Sequence, residues 1–386
     1  MPGISSALEP EWSLLRTACS SDGRQESERL PEMLGSPIRW KVLFDLADRH
    51  SVLPLLCQEL LKVSEMIPAE QTNLLKQSFQ ANLHKCLLLS RELIRIVDHL
   101  RAIGIEVMPY KGLALAEAVY GDIALRQAGD IDLLVRAADL PRIRESVLEL
   151  GYTPHLKFSD VEERAYLKSG YEYAFDGTAG RNLLEVQWAV QPRFYAVDFD
   201  MDTLFARAAK ATVAGYTIMT PRNEDLFVVL ALHAAKHVWA RLIWLCDLDR
   251  MMKYPALNWQ AIGSHAKELG IVRILRVTML LANRLLDTPV PPAAEASLPP
   301  DSAASELAGE IEEHIADGST CSVESLAYFQ LMLRLRERSA DKLRFLSRLT
   351  LTPGPSEWAA VRLPRPLFPL YRMVRVSRLA ARLVRA

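Results

Sequence analysis

Helical periodicity dominates this 386-residue chain, and strand patterns intervene in one block, residues 105–220. From about Pro10 to Gly104, apolar residues recur every three or four positions, as in QANLHKCLLLSRELIRIVDHLRAIG, and Gly104 is the natural stop. The block then reads as a strand over 105–110, a helix ending near Gly121, a strand over 130–135 and a helix over 139–151. Asp139 is the expected N-cap of that second helix, with Pro141 in its first turn. Further strands are expected at 171–175, 182–190 and 216–220. Helical patterns return after Thr220, with one or two long helices over 221–253. Residues 287–305, rich in Pro, Ala and Ser, read as a linker or long loop, and 352–358 as another break. This order predicts an α+β fold. A small mixed β-sheet core (105–220) would be flanked by a helical N-terminal region (1–104) and a helical C-terminal region (221–386).

The length is enough for two or three domains, and half the residues are apolar, so a sizeable core can form. The five cysteines are widely spaced and form no C-x-x-C pair, which suits isolated thiols in a reducing compartment rather than disulfides or a zinc ribbon. The first residues lack the basic-then-apolar pattern of a secretory signal, and no run of about 18 apolar residues suggests a membrane span. A cytoplasmic protein is the expectation. The net charge of −1 conceals an asymmetry: residues 331–386 carry 13 Lys and Arg against 3 Asp and Glu, a local +10.

The strand DIDLLV (130–135) carries the first candidate chemistry. Alternation places Asp130 and Asp132 on one face, with Ile131, Leu133 and Val135 on the other. The two carboxylates lie one strand repeat apart, roughly 6.5–7 Å between Cα atoms, which lets both reach one hard cation. Aspartate is poorly suited to strands, and two such charges repel unless a cation sits between them. In NLLEVQWAV (182–190), Glu185 and Gln187 oppose an apolar face of Leu184, Val186, Trp188 and Val190. If that strand lies beside 130–135, Glu185 completes an acidic triad. Three carboxylates suit Mg²⁺, which prefers oxygen ligands and keeps positions open for phosphates.

Upstream, Lys111 and Gly112 sit at a strand-to-helix junction, where glycine permits close backbone approach and a helix start favours phosphate. Lys111 and Arg126 can add positive charge, although Arg126 could equally pair with one of the aspartates. Together, KGLALAEAVYG…LRQAGDIDLLV resembles the uncharacterised nucleotidyltransferase family of the DNA polymerase β-like nucleotidyltransferase superfamily. The resemblance covers about residues 102–188 well and continues more loosely through 232–250. It implies that Asp130, Asp132 and Glu185 are catalytic metal ligands, and that Lys111 and Gly112 form the nucleotide-phosphate turn. Leu113 stands where the superfamily places Ser or a second Gly, and seventeen residues separate Gly112 from Asp130. The family often has His at the place of Gln187.

A second cluster lies in LHAAKHVWARLIWLCDLDR (232–250). On a helix, His233, Lys236 and His237 share a face, with Arg241, Trp244 and Asp247 further along. A zincin would need Glu beside the first His, where this chain has Ala234, so zinc is disfavoured. A core stripe is one reading. The other, which the resemblance favours, is a cleft wall on which Lys236 meets nucleotide phosphates and His233, His237 and Asp247 line the pocket.

The last feature is a basic amphipathic helix over 366–386. Arg372, Arg375, Arg378, Arg382 and Arg385 alternate with Leu370, Met373, Val374, Leu379, Leu383 and Val384. It could pack on the body, lie on an anionic membrane surface as a peripheral contact, or touch nucleic-acid phosphate.

The expected function is a Mg²⁺-dependent transfer of a nucleoside monophosphate from a nucleoside triphosphate to an acceptor hydroxyl or phosphate, with release of pyrophosphate. A small molecule, peptide or sugar is favoured over nucleic acid as acceptor. The alternatives are a non-catalytic nucleotide-binding scaffold, which Leu113 favours, and a toxin-like enzyme that modifies a protein or tRNA.

Overall fold

The computed structural model describes residues 9–21, 23–180, 182–254, 257–317 and 325–385; the side chains of 23–28, 317 and 382–385 lie outside the described part. Five strands form one sheet: β1 (Val107–Pro109), β2 (Asp130–Val135), β3 (Thr153–Pro154), β4 (Glu172–Asp176) and β5 (Leu183–Gln187). Their order is β1-β2-β5-β4-β3. β2 and β5 run parallel and every other pair is antiparallel, so the sheet is mixed and the fold is α+β with helical flanks. The register sets Asp132 opposite Glu185, and Gln187 opposite Glu172.

A separate hairpin joins β6 (Ala209–Val213) to β7 (Tyr216–Thr220). Only β7 is expected from the sequence. The two turn residues, Ala214 and Gly215, both have positive φ (50° and 79°), as a two-residue turn matched to strand twist requires.

The main sheet divides two cores. On one face Ile131, Leu133, Val135, Leu184 and Val186 pack with Leu93 and Ile96 of the Ala69–Ala102 helix and with Ile143 and Val147 of the Leu140–Glu149 helix. Burying such side chains stabilises by roughly 1.5–3 kcal/mol each. A one-residue slip of β2 would turn Asp130 and Asp132 into that core, so the pattern pins the register. Met108, Tyr110 and Leu134 face the opposite way, into a core shared by helices near both ends of the chain. Trp12 and Leu15 meet Leu230, Leu245 and Leu275 there. The carboxylate face of β2 therefore looks toward the helices that follow Thr220.

Three local expectations need correction. Asp139 does not cap its helix: a 3-10 turn (Ala137–Asp139) precedes it, and Asp139 already has φ −88° and ψ −7° rather than the extended backbone a capping side chain needs. It pairs with Arg142 instead, at 3.6 Å. Residues 287–305 are not a linker. A helix begins with Pro at Pro292–Ser297, another starts at Ser302, and Ala294, Leu298 and Ala304 are fully buried. Proline starts the first of these helices rather than breaking it, and Gly263 lets Ser297 approach so closely that an added Cβ would lie 2.8 Å from its carbonyl oxygen. Within 352–358 the helix Pro355–Ala360 begins, again with proline in its first turn.

The basic helix (Tyr371–Arg385) packs on the body, but with an unexpected face inward. Arg375 is buried, donates to the Leu349 carbonyl at 2.5 Å and pairs with Glu357 at 3.2 Å. Arg378 donates to the Ser356 carbonyl at 2.6 Å. The apolar Met373 and Val376 face outward, 66% and 45% exposed. A buried carboxylate, Glu357, attracts the guanidiniums more strongly than solvent does. The side chains of Arg382, Leu383, Val384 and Arg385 lie outside the described residues. Among the described residues, no helix is long and apolar enough to cross a membrane.

Candidate active site

Asp130, Asp132 and Glu185 each offer a carboxylate oxygen, and the three oxygens lie within 4.8 Å of one another. The parallel pairing of β2 and β5 brings them together, since it seats Asp132 beside Glu185 on the same face. Asp132 is buried and Asp130 and Glu185 are half-buried. Burial, then the neighbouring Asp132 and Glu172, pushes the Glu185 carboxyl up to about 8. Burial and Asp132 likewise raise Asp130. A group of hard oxygen donors that resist ionisation together is the environment a divalent cation relieves.

Two cross-braces hold the group. Lys111 Nζ lies 2.6 Å from Asp132 Oδ1. Burial works against the ammonium, yet Asp132, Tyr110 and Glu185 raise it well above its ordinary range. Gln187 Nε2 donates to Glu185 (2.9 Å), Asp132 (3.2 Å) and Glu172 (3.3 Å), sharing two protons among three carboxylates. Tyr110 fixes that amide by donating to Gln187 Oε1 at 2.5 Å.

Gly112 has φ +54°, a left-handed backbone that favours glycine, and it lies against β2, where an added Cβ would sit 3.4 Å from the Asp130 carbonyl oxygen. Leu113 points away into the core beneath the sheet. The helix from Gly112 widens into a π-turn over Ala116–Tyr120 and ends at Gly121. Asp122 then caps a short turn by accepting from Ala124 N at 2.8 Å, and Asn82 ties the Ala124 carbonyl to the long helix at 2.7 Å. The long spacing before Asp130 thus delivers Arg126, Gln127, Ala128 and Gly129 to one wall.

Arg126 does not pair with either aspartate of β2. Its Nε and Nη2 donate to Asp247 at 2.9 and 3.0 Å, a buried two-pronged pair. Asp247 lies behind Arg126 rather than on the cleft wall, and it also accepts from Tyr120 OH at 2.7 Å. Its place in the pocket is corrected accordingly: it orients Arg126.

The helix carrying the histidines, Asn223–Lys236, stops at His237. Val238 and Trp239 have φ of 54° and 48°, a conformation that costs L-residues about 1–2 kcal/mol each. The buried Trp239 offsets this, its Nε1 donating to Thr278 Oγ1 at 3.0 Å. A new helix, Leu242–Met252, then brings Trp244 back beside His233 and His237, with ring centroids 5.3 and 5.2 Å away. Burial pushes His233 well below its ordinary pKa and His237 down to about 3, so both are neutral. Lys236 donates to Tyr171 OH at 2.9 Å, and burial lowers its ammonium to about 8.

These groups meet in one cleft of about 600 Å³, between the sheet and the two helices. A family model described as uncharacterised nucleotidyltransferase matches residues 36–287. The chain belongs to this family. No curated protein and no solved structure matches it.

Membership makes the protein a nucleotidyltransferase, a class that takes a nucleoside triphosphate and generally works with a divalent metal. The cleft lies wholly within the matched residues. Its walls carry Asp130, Asp132, Glu185, Lys111, Gly112, Arg126, His233, Lys236 and His237. They also carry groups that sequence reasoning did not assign to the site: Lys85, Tyr171, Glu172, Arg241 and Trp244. Glu172 had a signal, because in YEYAF it alternates with Tyr171 and Tyr173 and shares the face of Ala174. Lys85, 45 residues before Asp130 on the long helix, had none.

Proposed function

We propose that this nucleotidyltransferase moves a nucleoside monophosphate from a Mg²⁺-bound nucleoside triphosphate to an acceptor hydroxyl or phosphate, releasing pyrophosphate. The observation that carries this reading is the convergence of three carboxylates on adjacent strands, facing cations across one cleft. Asp130, Asp132 and Glu185 would hold the ion. Bound Mg²⁺ would offset the triphosphate charge and favour the ionised acceptor.

The protein's own groups have separable roles in this reading. Gln187 keeps Asp132 and Glu185 aimed at the same point, and Lys111 neutralises Asp132 until the ion binds. Lys111, Gly112, Arg126 and Lys236 face the phosphates. Lys236 is suited to meeting them, because among the described residues it makes no ion pair, and with a pKa of about 8 it stays mostly charged at neutral pH. His233 and His237, being neutral, wall the cleft without adding charge. The acceptor oxygen attacks the α-phosphorus and pyrophosphate leaves as the bond to it breaks.

A small molecule, peptide or sugar is the proposed acceptor. Five cationic side chains face four carboxylates in the cleft, which leaves no uncompensated basic track for a polynucleotide backbone. The segment 105–220 supplies the metal-binding strands, and 221–386 closes the cleft from the other side. A cytoplasmic location and peripheral membrane contact through the basic C-terminal helix complete the proposal.

Isothermal titration with nucleoside triphosphate and Mg²⁺ tests the metal assignment. The Asp130→Asn/Asp132→Asn variant should lose the metal-dependent part of binding. Equal binding by variant and wild type would sink it.

A further inference from the structure

A groove of about 670 Å³ lies between the C-terminal helices and the Asp160–Ser169 helix, apart from the catalytic cleft. Four cationic side chains line it: Lys168, Arg193, Arg348 and Arg372. Arg348 is committed to Asp198, with bonds of 2.6 and 2.7 Å. Lys168, Arg193 and Arg372 make no ion pair among the described residues, and no carboxylate lines the groove.

The rim is as unusual as the floor. Leu351 lines the groove and is 51% exposed, and Leu367, Leu370 and Met373, which flank the lining residues Phe368, Pro369 and Arg372, are also exposed. Met373 lies on the outward side of the helix whose Arg375 and Arg378 reach Glu357. Exposed aliphatic residues clustered at one place mark an interaction surface.

We propose that this groove and its aliphatic rim form a docking surface for an anionic phospholipid bilayer, with a lipid headgroup phosphate in the groove and the rim dipping into the acyl boundary. Both halves of the surface then have a use. A polynucleotide would meet the cations but leave the aliphatic rim in water, and it stacks on aromatic rings, whereas Phe368 is occupied with Trp358 and Tyr371. A lipid offers phosphate and hydrocarbon within one molecule. The inference rests on the peripheral-contact part of the proposed function and not on its chemistry.

Co-sedimentation of the full chain with vesicles tests it, using phosphatidylcholine alone and phosphatidylcholine with about one-third phosphatidylserine. Partition into the anionic vesicles should be at least about tenfold stronger and should weaken with salt. The Lys168→Glu/Arg372→Glu variant should lower it about tenfold or more. Leu370→Ser/Met373→Ser should also lower it, and the loss should persist at high salt, with circular dichroism confirming a folded chain. Equal partition into both vesicles, or no partition, overturns the proposal. So does a result in which the charge variant loses binding and the aliphatic variant keeps it, since that describes attraction to surface charge alone, with no rim entering the acyl boundary. Mg²⁺–nucleotide binding, measured on the same samples, reports separately on the catalytic reading.

Discussion

Lys111 Nζ lies 2.6 Å from Asp132 Oδ1, and both side chains are more than nine-tenths buried. The lysine therefore sits where a divalent cation would also be attracted, and it neutralises one carboxylate of the triad while the cation is elsewhere.

Replacing that lysine should separate the two effects. Lys111→Met leaves Asp132 buried without a countercharge, which costs about 3 kcal/mol of folding stability. It also removes a competitor, so Mg²⁺ titrated without nucleotide should bind more tightly than to wild type. Unchanged or weaker metal binding in calorimetry would show that the lysine does not compete.

Glu185 should behave in the opposite way. Its ionised form is disfavoured by burial and by Asp132 and Glu172. Glu185→Gln keeps the shape and removes the repulsion, so metal-free stability in urea should rise by about 1 kcal/mol or more. Transferase activity should fall by about a hundredfold or more. A variant both less stable and fully active would contradict the placement of this carboxylate.

Gln187 touches three acidic neighbours, so its removal should loosen the group without removing any ligand. Gln187→Leu should weaken Mg²⁺ affinity or turnover by about ten- to a hundredfold, as loss of an orienting group does at a metal site. Gln187→His, which keeps a donor, should recover part of the loss. If both variants bind Mg²⁺ like wild type, the amide only fills space.

His50 should report on acid stability. Burial, with Arg49 and Arg241 nearby, lowers its pKa to about 4, and its Nδ1 accepts from Leu242 N at 3.3 Å at the start of the Leu242–Met252 helix. The unfolded chain binds this proton near 6.5 and the folded chain only near 4. Stability is therefore intact above about 6.5 and falls as pH drops through that window, by about 3 kcal/mol in all. Urea melts from neutral pH downward should show this slope, and His50→Gln should flatten it. An unchanged slope in the variant would assign the acid sensitivity to other groups.

Several pieces of this arrangement were legible from residues alone. The alternation in DIDLLV located β2 to the residue and separated its acidic and apolar faces. The strand bearing Glu185 was recognisable for the same reason, with ends trimmed from 182–190 to Leu183–Gln187. Two further signals lie in the residues. Ala214-Gly215 between alternating runs marks the β6–β7 hairpin, and Ser159 with Glu162 forms a capping box that starts the Asp160–Ser169 helix.

Pattern determined these elements because a strand or helix sorts its neighbours along the chain by geometry that repeats every two or about 3.6 residues. It determined the acidic face and the turn at Gly112, but not β3, β6 or the helices within 287–305. Which polar group meets which was decided by tertiary structure alone. Arg126 finds Asp247, 121 positions away, and not the nearby Asp130 or Asp132. Gln187 becomes a brace only because β4 and β5 align it with Glu172. Arg375 turns inward because Glu357 is buried beside it. A charged residue reads the same in sequence whether it meets water or a partner, and the difference is made by desolvation, which exists only once distant segments have packed.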